Sequence, residues 1–193
     1  MIYCIGLPRC GGQTLHFALK HLFPGRDVWH AIEHDKWNVV TKNCVAIVEC
    51  FAPIEWCIES FNLEPHIFII NDRDPDEWFA SCKKFRERSH DHHWNHPLWQ
   101  YPESQWSEYR LNYIHQSINA LSWYGANYFV IDVTKQNDYS ALINGLGYSG
   151  PVQPTAVWPN LDKFGRLAPH KCVEDMLAYD KLADPFQIPG QIL

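Results

Sequence analysis

The feature that most constrains the fold of this chain is a repeated alternation of short, continuous apolar runs with segments of helical periodicity. The predicted strands cover residues 2–7, 27–31, 44–49, 66–71 and 128–133. Strands that are apolar throughout, rather than at every second residue, are typical of parallel sheets with helices on both faces. The sequence therefore predicts an α/β fold of three layers, α/β/α, around a central parallel sheet.

The predicted helices are marked by their ends as well as by their periodicity. Apolar residues recur at steps of three and four from Leu15 to Leu22, and Pro24 then ends the first helix. Asp74, followed by Pro75 and two acidic residues, is typical of a helix start and predicts a helix to about residue 88. Further helices are predicted over 53–61, 103–125, 139–146 and near 172–182, with a long loop over 89–102 and an irregular region from 148.

Length and composition limit what the chain can be. At 193 residues it is long enough for one domain with its own core, and we predict a single domain over 1–193. Hydrophobic residues make up 46% and charged residues 20%, which excludes a wholly disordered chain. The formal charge of −6 argues against broad binding to nucleic acid, and no apolar run approaches the length of a membrane-spanning helix.

The first residues and the cysteines favour a cytoplasmic protein. Residues 1–6 read as a strand and lack the basic segment of a signal peptide. The cysteines number seven and none forms a CxxC pair, so we expect reduced thiols and no zinc site built from them. Cytoplasmic localisation, without a membrane or nucleic-acid partner, is the resulting prediction.

The turn after the first predicted strand has the composition of an anion-binding loop. Residues 6–15, which we call the phosphate loop, read Gly6-Leu7-Pro8-Arg9-Cys10-Gly11-Gly12-Gln13-Thr14-Leu15. Glycines let backbone N–H groups turn toward an anion, the start of the next helix adds unpaired donors, and Arg9 adds a positive charge. It is not a Walker A loop, because Gly12 and Gln13 stand where Lys and Ser or Thr are required. A glycine-rich turn that binds nothing is the alternative.

A second candidate anion site follows the fourth predicted strand. Arg73 stands at the end of that strand, and Ser81 lies eight residues on, about two turns into the next helix. An arginine at a strand end and a serine on the facing helix can reach one phosphate. The alternative is that Arg73 pairs with the neighbouring Asp72 or Asp74 while Ser81 has no role.

Together these two stretches resemble the sulfotransferase family, most closely its small bacterial members. Arg9 falls where the family carries its catalytic lysine or arginine, and Gly11 matches the central glycine of its 5′-phosphosulfate loop. Arg73, Pro75 and Ser81 match the family's 3′-phosphate motif R-x-P-x-x-x-x-x-S. Weaker similarity runs through 128–133, 141–147 and the turn Trp158-Pro159-Asn160.

The resemblance implies a P-loop-like fold and the cosubstrate 3′-phosphoadenosine 5′-phosphosulfate (PAPS), converted to adenosine 3′,5′-bisphosphate without a metal. It implies cofactor binding by Arg9, Cys10, Gly11, Gly12, Gln13, Thr14, Arg73 and Ser81. Arg9 would stabilise charge on the leaving phosphate, because its high pKa makes it a poor proton donor. Gly12 and Gln13 depart from the threonines that are usual in the family, so backbone amides would serve there.

The catalytic base is predicted to be Glu49, which follows the third predicted strand. Cytosolic sulfotransferases carry a histidine in this region and Golgi heparan sulfotransferases a glutamate, which Glu49 resembles. A carboxylate that is partly buried beyond a strand end suits proton transfer. The alternatives are that Glu49 pairs with Arg9 or Arg73 and only shapes the pocket, or that His30 or His34 is the base.

Residues 89–102 are rich in histidine and aromatic side chains. His90, His92, His93 and His96 have the composition of a metal site, but clusters of this kind are often compositional. We favour a loop that covers the acceptor, with stacking surface from Trp94, Trp99 and Tyr101. Trp78 is read either as part of that surface or as an ordinary core residue.

The sequence thus predicts transfer of a sulfuryl group to a hydroxyl or amine of a small molecule or glycan. A P-loop nucleotide kinase and a nucleotide-binding protein without activity on the same fold are the alternatives. The acceptor has no recognisable motif, and Arg166 and Lys171 are only candidates for a further phosphate contact.

Overall fold

The computed structural model describes residues 1–30, 43–50, 52–60, 66–88, 96–136 and 138–149. Its centre is a sheet of five strands: β1 (Ile2–Cys4), β2 (Asp27–His30), β3 (Cys44–Val48), β4 (Ile67–Asn71) and β5 (Asn127–Ile131). The strand order is β2-β3-β1-β4-β5, and every neighbouring pair is parallel. The predicted parallel sheet is confirmed.

The described α-helices alternate with these strands as predicted. They are α1 (Gly12–Leu22), α2 (Ile54–Ser60), α3 (Pro75–Arg88), α4 (Trp106–Trp123) and α5 (Ser140–Leu146). Asp74 begins α3 as a cap, since its carboxylate accepts from the amides of Asp76 and Glu77 at 3.1 and 3.2 Å. Gly147 ends α5 in the left-handed conformation, which glycine adopts without steric cost.

The two faces of the sheet are covered by different helices, which gives the three predicted layers. Alternate strand residues such as Cys4, Val48 and Ile69 pack with α1 and α5 on one face. The intervening residues such as Tyr3, Ile47 and Phe68 pack with α2 and α4 on the other. The inner strands β1, β3 and β4 are buried on both faces and therefore have to be apolar, which is the pattern seen in the sequence, whereas the edge strand β5 is largely exposed.

Within the predicted loop over 89–102, of which the structure describes residues 96–102, there is a short 3₁₀ helix over Pro97–Gln100. His96 caps it by accepting from the Leu98 amide, and Pro97 fits the first helical position because it has no N–H to satisfy. A second 3₁₀ turn, Glu103–Gln105, leads into α4. The predicted helix near 172–182 and the turn at 158–160 lie outside the described residues.

The strand order determines where a ligand can bind. The chain leaves the central β1 towards β2 and β3 on one side and later crosses to β4 on the other. In such sheets the crevice lies beyond the carboxyl ends of the strands next to this reversal. That edge carries the phosphate loop, Glu49 and Arg73. No helix in the described part of the chain has the length and apolar character needed to cross a membrane.

Candidate active site

The phosphate loop connects β1 to α1 through a turn that depends on one glycine. Gly11 has a φ of +91°, and a Cβ placed there would come within 2.5 Å of a methyl carbon of Val133. Among the described residues, no side chain caps the start of α1. The backbone amides at Gly12, Gln13 and Thr14 therefore keep donors for an anion at the positive end of the helix.

Two side chains from distant elements fix the phosphate loop in place. Trp78 of α3 is fully buried, and its indole nitrogen donates to the carbonyl of Pro8 at 2.9 Å. The Tyr113 hydroxyl of α4 donates to the carbonyl of Ile5 at 2.5 Å. Trp78 is therefore a core residue that also anchors the loop, and the loop is held independently of any ligand.

Three of the predicted site residues meet beside this loop and form what we call the arginine cluster: Arg9, Arg73 and Ser81. The Arg9 Nε donates to the Ser81 hydroxyl at 3.4 Å across 72 residues of sequence. An Arg73 Nη lies 3.5 Å from the Arg9 carbonyl. The Arg9 guanidinium also stacks on the ring of Phe85, 4.9 Å from its centroid, which adds a cation–π contact. The two anion sites read separately from the sequence are thus one location.

Arg73 does not pair with its sequence neighbours Asp72 and Asp74. Its guanidinium lies 3.4 Å from the carboxylate of Glu77, one helical turn on, in a partly exposed pair. Asp74 instead caps α3 and lies 3.4 Å from Lys135. The hydrogen bond from the Glu77 amide is the main reason why the pKa of Asp74 is below its usual value. Arg73 therefore keeps donors that face the loop.

Arg110 of α4 is a site residue that the sequence analysis missed. One of its Nη atoms donates to both carboxylate oxygens of Asp72, at 2.7 and 2.9 Å, and to the carbonyl of Arg73 at 2.7 Å. Arg110 is only 6% exposed, so it is a buried cation at the strand end that bears Arg73. In the sequence, Arg110 is simply a basic residue within a helix of mixed polarity, and no motif marks it as part of the site.

Glu49 lies across the phosphate loop from the arginine cluster. A Cβ on Gly12 would come within 2.3 Å of the Glu49 Oε1, so the carboxylate lies directly against this glycine. The other oxygen, Oε2, lies 3.7 Å from the His30 Nε2. The predicted alternative, in which Glu49 pairs with Arg9 or Arg73, is not the pairing seen. We call Glu49 and His30 the acid–base pair. His34 lies outside the described residues.

Arg9 and Glu49 share an unusual backbone conformation. They are the two non-glycine residues with positive φ in the described ranges, at +70° and +53°. Such conformations cost about 1–2 kcal/mol per residue for L-amino acids and concentrate at functional sites. The strained backbone conformations therefore occur at the predicted cation, Arg9, and at the predicted base, Glu49.

The cysteines beside the site are buried thiols. Burial raises the pKa of Cys10 well above its usual value, and the nearby charge of Asp72 adds to this. Cys10 as a whole residue is 1% exposed, and its amide donates to the Leu7 carbonyl at 3.3 Å, so the predicted ligand contact of Cys10 has no exposed group in the structure. The other described cysteines are also free and buried: Cys4, Cys44, Cys50, Cys57 and Cys82.

His96 is the one residue of the histidine cluster that the structure describes, and it caps the 3₁₀ helix over Pro97–Gln100. It is 7% exposed, and burial lowers its pKa to about 4. His90, His92, His93 and Trp94 lie outside the described residues, as do Arg166 and Lys171. Within the described ranges, no three His, Cys, Asp or Glu side chains are grouped so as to hold a metal ion.

A groove of about 450 Å³ runs along α4 and combines tyrosines with polar side chains. The Tyr109 and Tyr113 rings are stacked at 6.5 Å, and Tyr101 lies 5.0 Å from Tyr109. Trp99, predicted as stacking surface, packs against Trp106 and Phe85 instead. The groove is lined by Tyr101, Gln105, Glu108, Tyr109, Asn112, Tyr113 and Gln116.

Comparison with known proteins gives one match. A family model described as a sulfotransferase domain matches residues 23–141, more than half of the chain. The matched span contains Glu49, Arg73, Ser81 and Arg110, and it begins after the phosphate loop. No curated protein and no solved structure gives a significant match.

Proposed function

The chain belongs to the sulfotransferase family, and from that premise we propose that it moves a sulfuryl group from PAPS to a hydroxyl or amine. Family membership indicates sulfotransfer in general. The donor, the acceptor class and the residue roles are inferred from the geometry of the site.

The observation that carries the proposal is the convergence of Arg9, Arg73 and Ser81 beside the amides at the start of α1. PAPS carries a phosphosulfate at its 5′ position and a phosphate at its 3′ position, so it needs two anion sites in one pocket. The loop amides suit the first group, because helix N-termini bind phosphate oxygens. Arg73 and Ser81 suit the second, with charge-assisted hydrogen bonds from the guanidinium.

Sulfuryl transfer requires charge stabilisation at the leaving group, which we assign to Arg9. As the bond between sulfur and the bridging oxygen breaks, negative charge grows on the departing phosphate. A guanidinium fixed by Ser81 and Phe85 can neutralise that charge without reorganising. Arg9 stays protonated throughout, so it acts by charge and not by proton donation.

The acceptor must lose a proton as it attacks sulfur, and we assign this to Glu49. Its carboxylate lies against Gly12, at the point where the loop would hold the sulfuryl end of the donor. A base in this position receives the proton within the same ternary complex that aligns donor and acceptor. Nothing in this chemistry requires a metal ion.

The acceptor is proposed to reach the site along the groove on α4. Stacked tyrosine rings offer flat apolar surface, and the amide and carboxylate side chains between them offer hydrogen bonds. This combination suits a sugar or an aromatic alcohol, and the groove belongs to the helix that also holds Asp72 and Ile5 at the site.

Isothermal titration with adenosine 3′,5′-bisphosphate tests the donor site. We expect saturable binding by the wild type and binding about 10- to 100-fold weaker for Arg73→Ala, because a charge-assisted contact is worth about 1.5–3 kcal/mol. Lys83→Ala is the matched control, since Lys83 is an exposed cation on the same helix as Ser81. Absence of binding by the wild type, or full binding by Arg73→Ala, would refute the site.

Activity is tested by release of the bisphosphate from PAPS with a panel of sugars, phenols and amines. The enzyme proposal expects turnover with at least one acceptor and a strong loss for Arg9→Ala. Binding without turnover across the panel would favour a nucleotide-binding protein without activity. A thermal shift that requires ATP and Mg²⁺, and is absent with the bisphosphate, would favour a nucleotide kinase.

A further inference from the structure

We propose that His30 acts with Glu49 as one proton-accepting unit, in which Glu49 takes the proton of the acceptor and His30 receives it from Glu49. His30 is a positioning and relay residue in this scheme, since it acts through Glu49. The inference rests on the proposed function and adds to it the fate of the proton.

The sheet itself brings the two side chains together. β2 and β3 are parallel neighbours, and His30 is in register with Val48, the residue before Glu49. His30 is the last residue of β2, while Glu49 follows the last residue of β3. Both side chains therefore emerge at the carboxyl edge of the sheet, beside the phosphate loop.

The contact is otherwise unexplained by the structure. The His30 Nε2 is buried and has no hydrogen-bond partner among the described residues, while the Glu49 Oε2 lies 3.7 Å away. A buried polar atom without a partner calls for an explanation, and the facing carboxylate of Glu49 supplies one for the His30 Nε2. A small side-chain rotation would close this distance to a hydrogen bond.

The two oxygens of Glu49 face different groups, which is what a relay requires. Oε1 lies against Gly12 of the phosphate loop, and Oε2 faces His30. One oxygen is thus turned to the reaction and the other to the second base. Glu49 takes this orientation from a backbone with a φ of +53°, a conformation that persists only where the surrounding structure determines it.

The titratable ring beside His30 does not compete with it for the proton. The His16 ring lies 5.4 Å from the His30 ring in an edge-to-face arrangement. Burial, with His30 and Lys20 nearby, lowers the pKa of His16 to about 2, so His16 stays neutral. Glu49 is the carboxylate that faces His30, and it can balance an imidazolium there.

The O–H or N–H bond of the acceptor breaks, its proton goes to Glu49, and its electron pair forms the new bond to sulfur. The bond from sulfur to the bridging oxygen breaks, and that electron pair stays on the phosphate beside Arg9. The proton then moves from Glu49 to His30, which leaves a carboxylate and an imidazolium as an ion pair.

A double-mutant cycle with His30→Gln and Glu49→Gln tests the coupling. We expect kcat for PAPS turnover to fall about 10-fold in His30→Gln and about 100-fold or more in Glu49→Gln, within the range of general-base effects. The double variant should be no slower than Glu49→Gln, because residues in one unit are not additive. The KM for PAPS and the affinity for the bisphosphate should stay unchanged in His30→Gln.

Chemical rescue separates proton transfer from a structural role. Added imidazole should restore turnover to His30→Ala, whose side chain is partly exposed at 28%, and should leave the wild type and His115→Gln unchanged. His115 is exposed on α4 and provides the matched control for loss of a histidine.

Several results would overturn the relay. One is a double variant that is slower than Glu49→Gln by the same factor by which His30→Gln is slower than the wild type. The others are normal turnover in His30→Gln and no rescue of His30→Ala by imidazole. A loss of bisphosphate affinity in His30→Gln would also do so, as it would make His30 a structural residue. In each case turnover by the wild type would leave the proposed function intact, whereas lack of turnover across the acceptor panel would count against that function.

Discussion

The two sides of the phosphate loop are built in opposite ways. On one side, the arginine cluster is held by contacts that span the sequence, through Trp78, Arg110 and Ser81. On the other side, the acid–base pair comes from neighbouring strands and depends on close approach to Gly12. The first side depends on the packing of α3 and α4. The second depends on position 12 being a glycine, because a Cβ there would collide with the Glu49 carboxylate.

This difference suggests that stability and chemistry are separable in this molecule. Changes around the arginine cluster should weaken the fold as well as binding, because the same contacts hold α4 to the sheet. Changes at the acid–base pair should alter catalysis with little effect on folding. Each prediction below tests this separation.

The largest effect is expected from Arg110→Ala, which leaves Asp72 without its buried partner. Breaking a buried ion pair by removing one member costs about 3–5 kcal/mol. Urea unfolding should show this loss, and bisphosphate binding should weaken because Arg73 loses the contact to its carbonyl. Lys84→Ala, an exposed cation on α3, should change stability by about 0.5 kcal/mol or less. A variant as stable as the wild type would show that the cluster does not depend on α4.

Gly12→Ala should break the other side and leave the fold intact. The new methyl would require the Glu49 carboxylate to move, because the two would otherwise lie 2.3 Å apart. We expect turnover to fall about 100-fold, or about 2.7 kcal/mol in the barrier. The free energy of unfolding should stay level or rise by up to about 1 kcal/mol, because alanine favours helix over glycine. Equal losses in stability and turnover would contradict the separation.

Acid should weaken the two sides over different pH windows, since each has a buried neutral histidine. The pKa of an unfolded histidine is near 6.5, whereas that of His96 is about 4 and that of His16 about 2. Folding lowers both pKa values, so the contribution of each neutral histidine to the free energy of unfolding is complete above pH 6.5. That contribution decreases as the pH falls below 6.5. The His96 contribution stops changing near pH 4, and that of His16 near pH 2.

The measurement is urea unfolding of the wild type and His96→Asn, in which asparagine retains a cap acceptor. Between pH 7 and 5 the wild type should lose about 2 kcal/mol more than the variant. Below pH 4 the two curves should run parallel, because the His96 contribution no longer changes and that of His16 is the same in both proteins. Parallel curves over the whole range would show that His96 is not held neutral.

A smaller effect than that of Arg110→Ala is expected from Trp78→Phe, which removes one hydrogen bond to the phosphate loop and keeps an aromatic ring in the core. A buried carbonyl that loses its donor costs about 1–3 kcal/mol, and the smaller ring adds a cavity. Bisphosphate affinity should fall together with stability, as monitored by titration and thermal unfolding. An affinity that is unchanged while the protein is destabilised would show that the loop keeps its shape without this anchor.

The fold was predictable because the inner strands are continuous apolar runs and most helices have a clear start or end. The phosphate loop, Arg73 and Ser81 were predictable for a related reason, since backbone turns and fixed spacing decide their positions. The ends of the strands were less predictable. The strands β1 and β3 end at Cys4 and Val48, earlier than the apolar runs indicate. Glu49 leaves the strand because it adopts a positive φ, which composition does not show.

The contacts between distant residues could not be predicted. The choice of Arg110 as the partner of Asp72 depends on how α4 crosses β4, and a single sequence does not encode that crossing in any short pattern. From the sequence, His30 was an alternative to Glu49 as the catalytic base. In the structure, the register of β2 with β3 makes the two residues neighbours. The short helix at Pro97–Gln100 was missed because it has only four residues and directly follows a histidine-rich stretch.

The positive φ angles at Arg9 and Glu49 bear on how this protein can be engineered. Any procedure that selects only for thermal resistance will favour glycine or asparagine at both positions, because these residues adopt the left-handed conformation more easily. Such a chain would be harder to unfold, and the side chains assigned to the reaction would be gone. Libraries built on this scaffold should therefore hold positions 9 and 49 constant, and stabilising changes should be sought away from the carboxyl edge of the sheet.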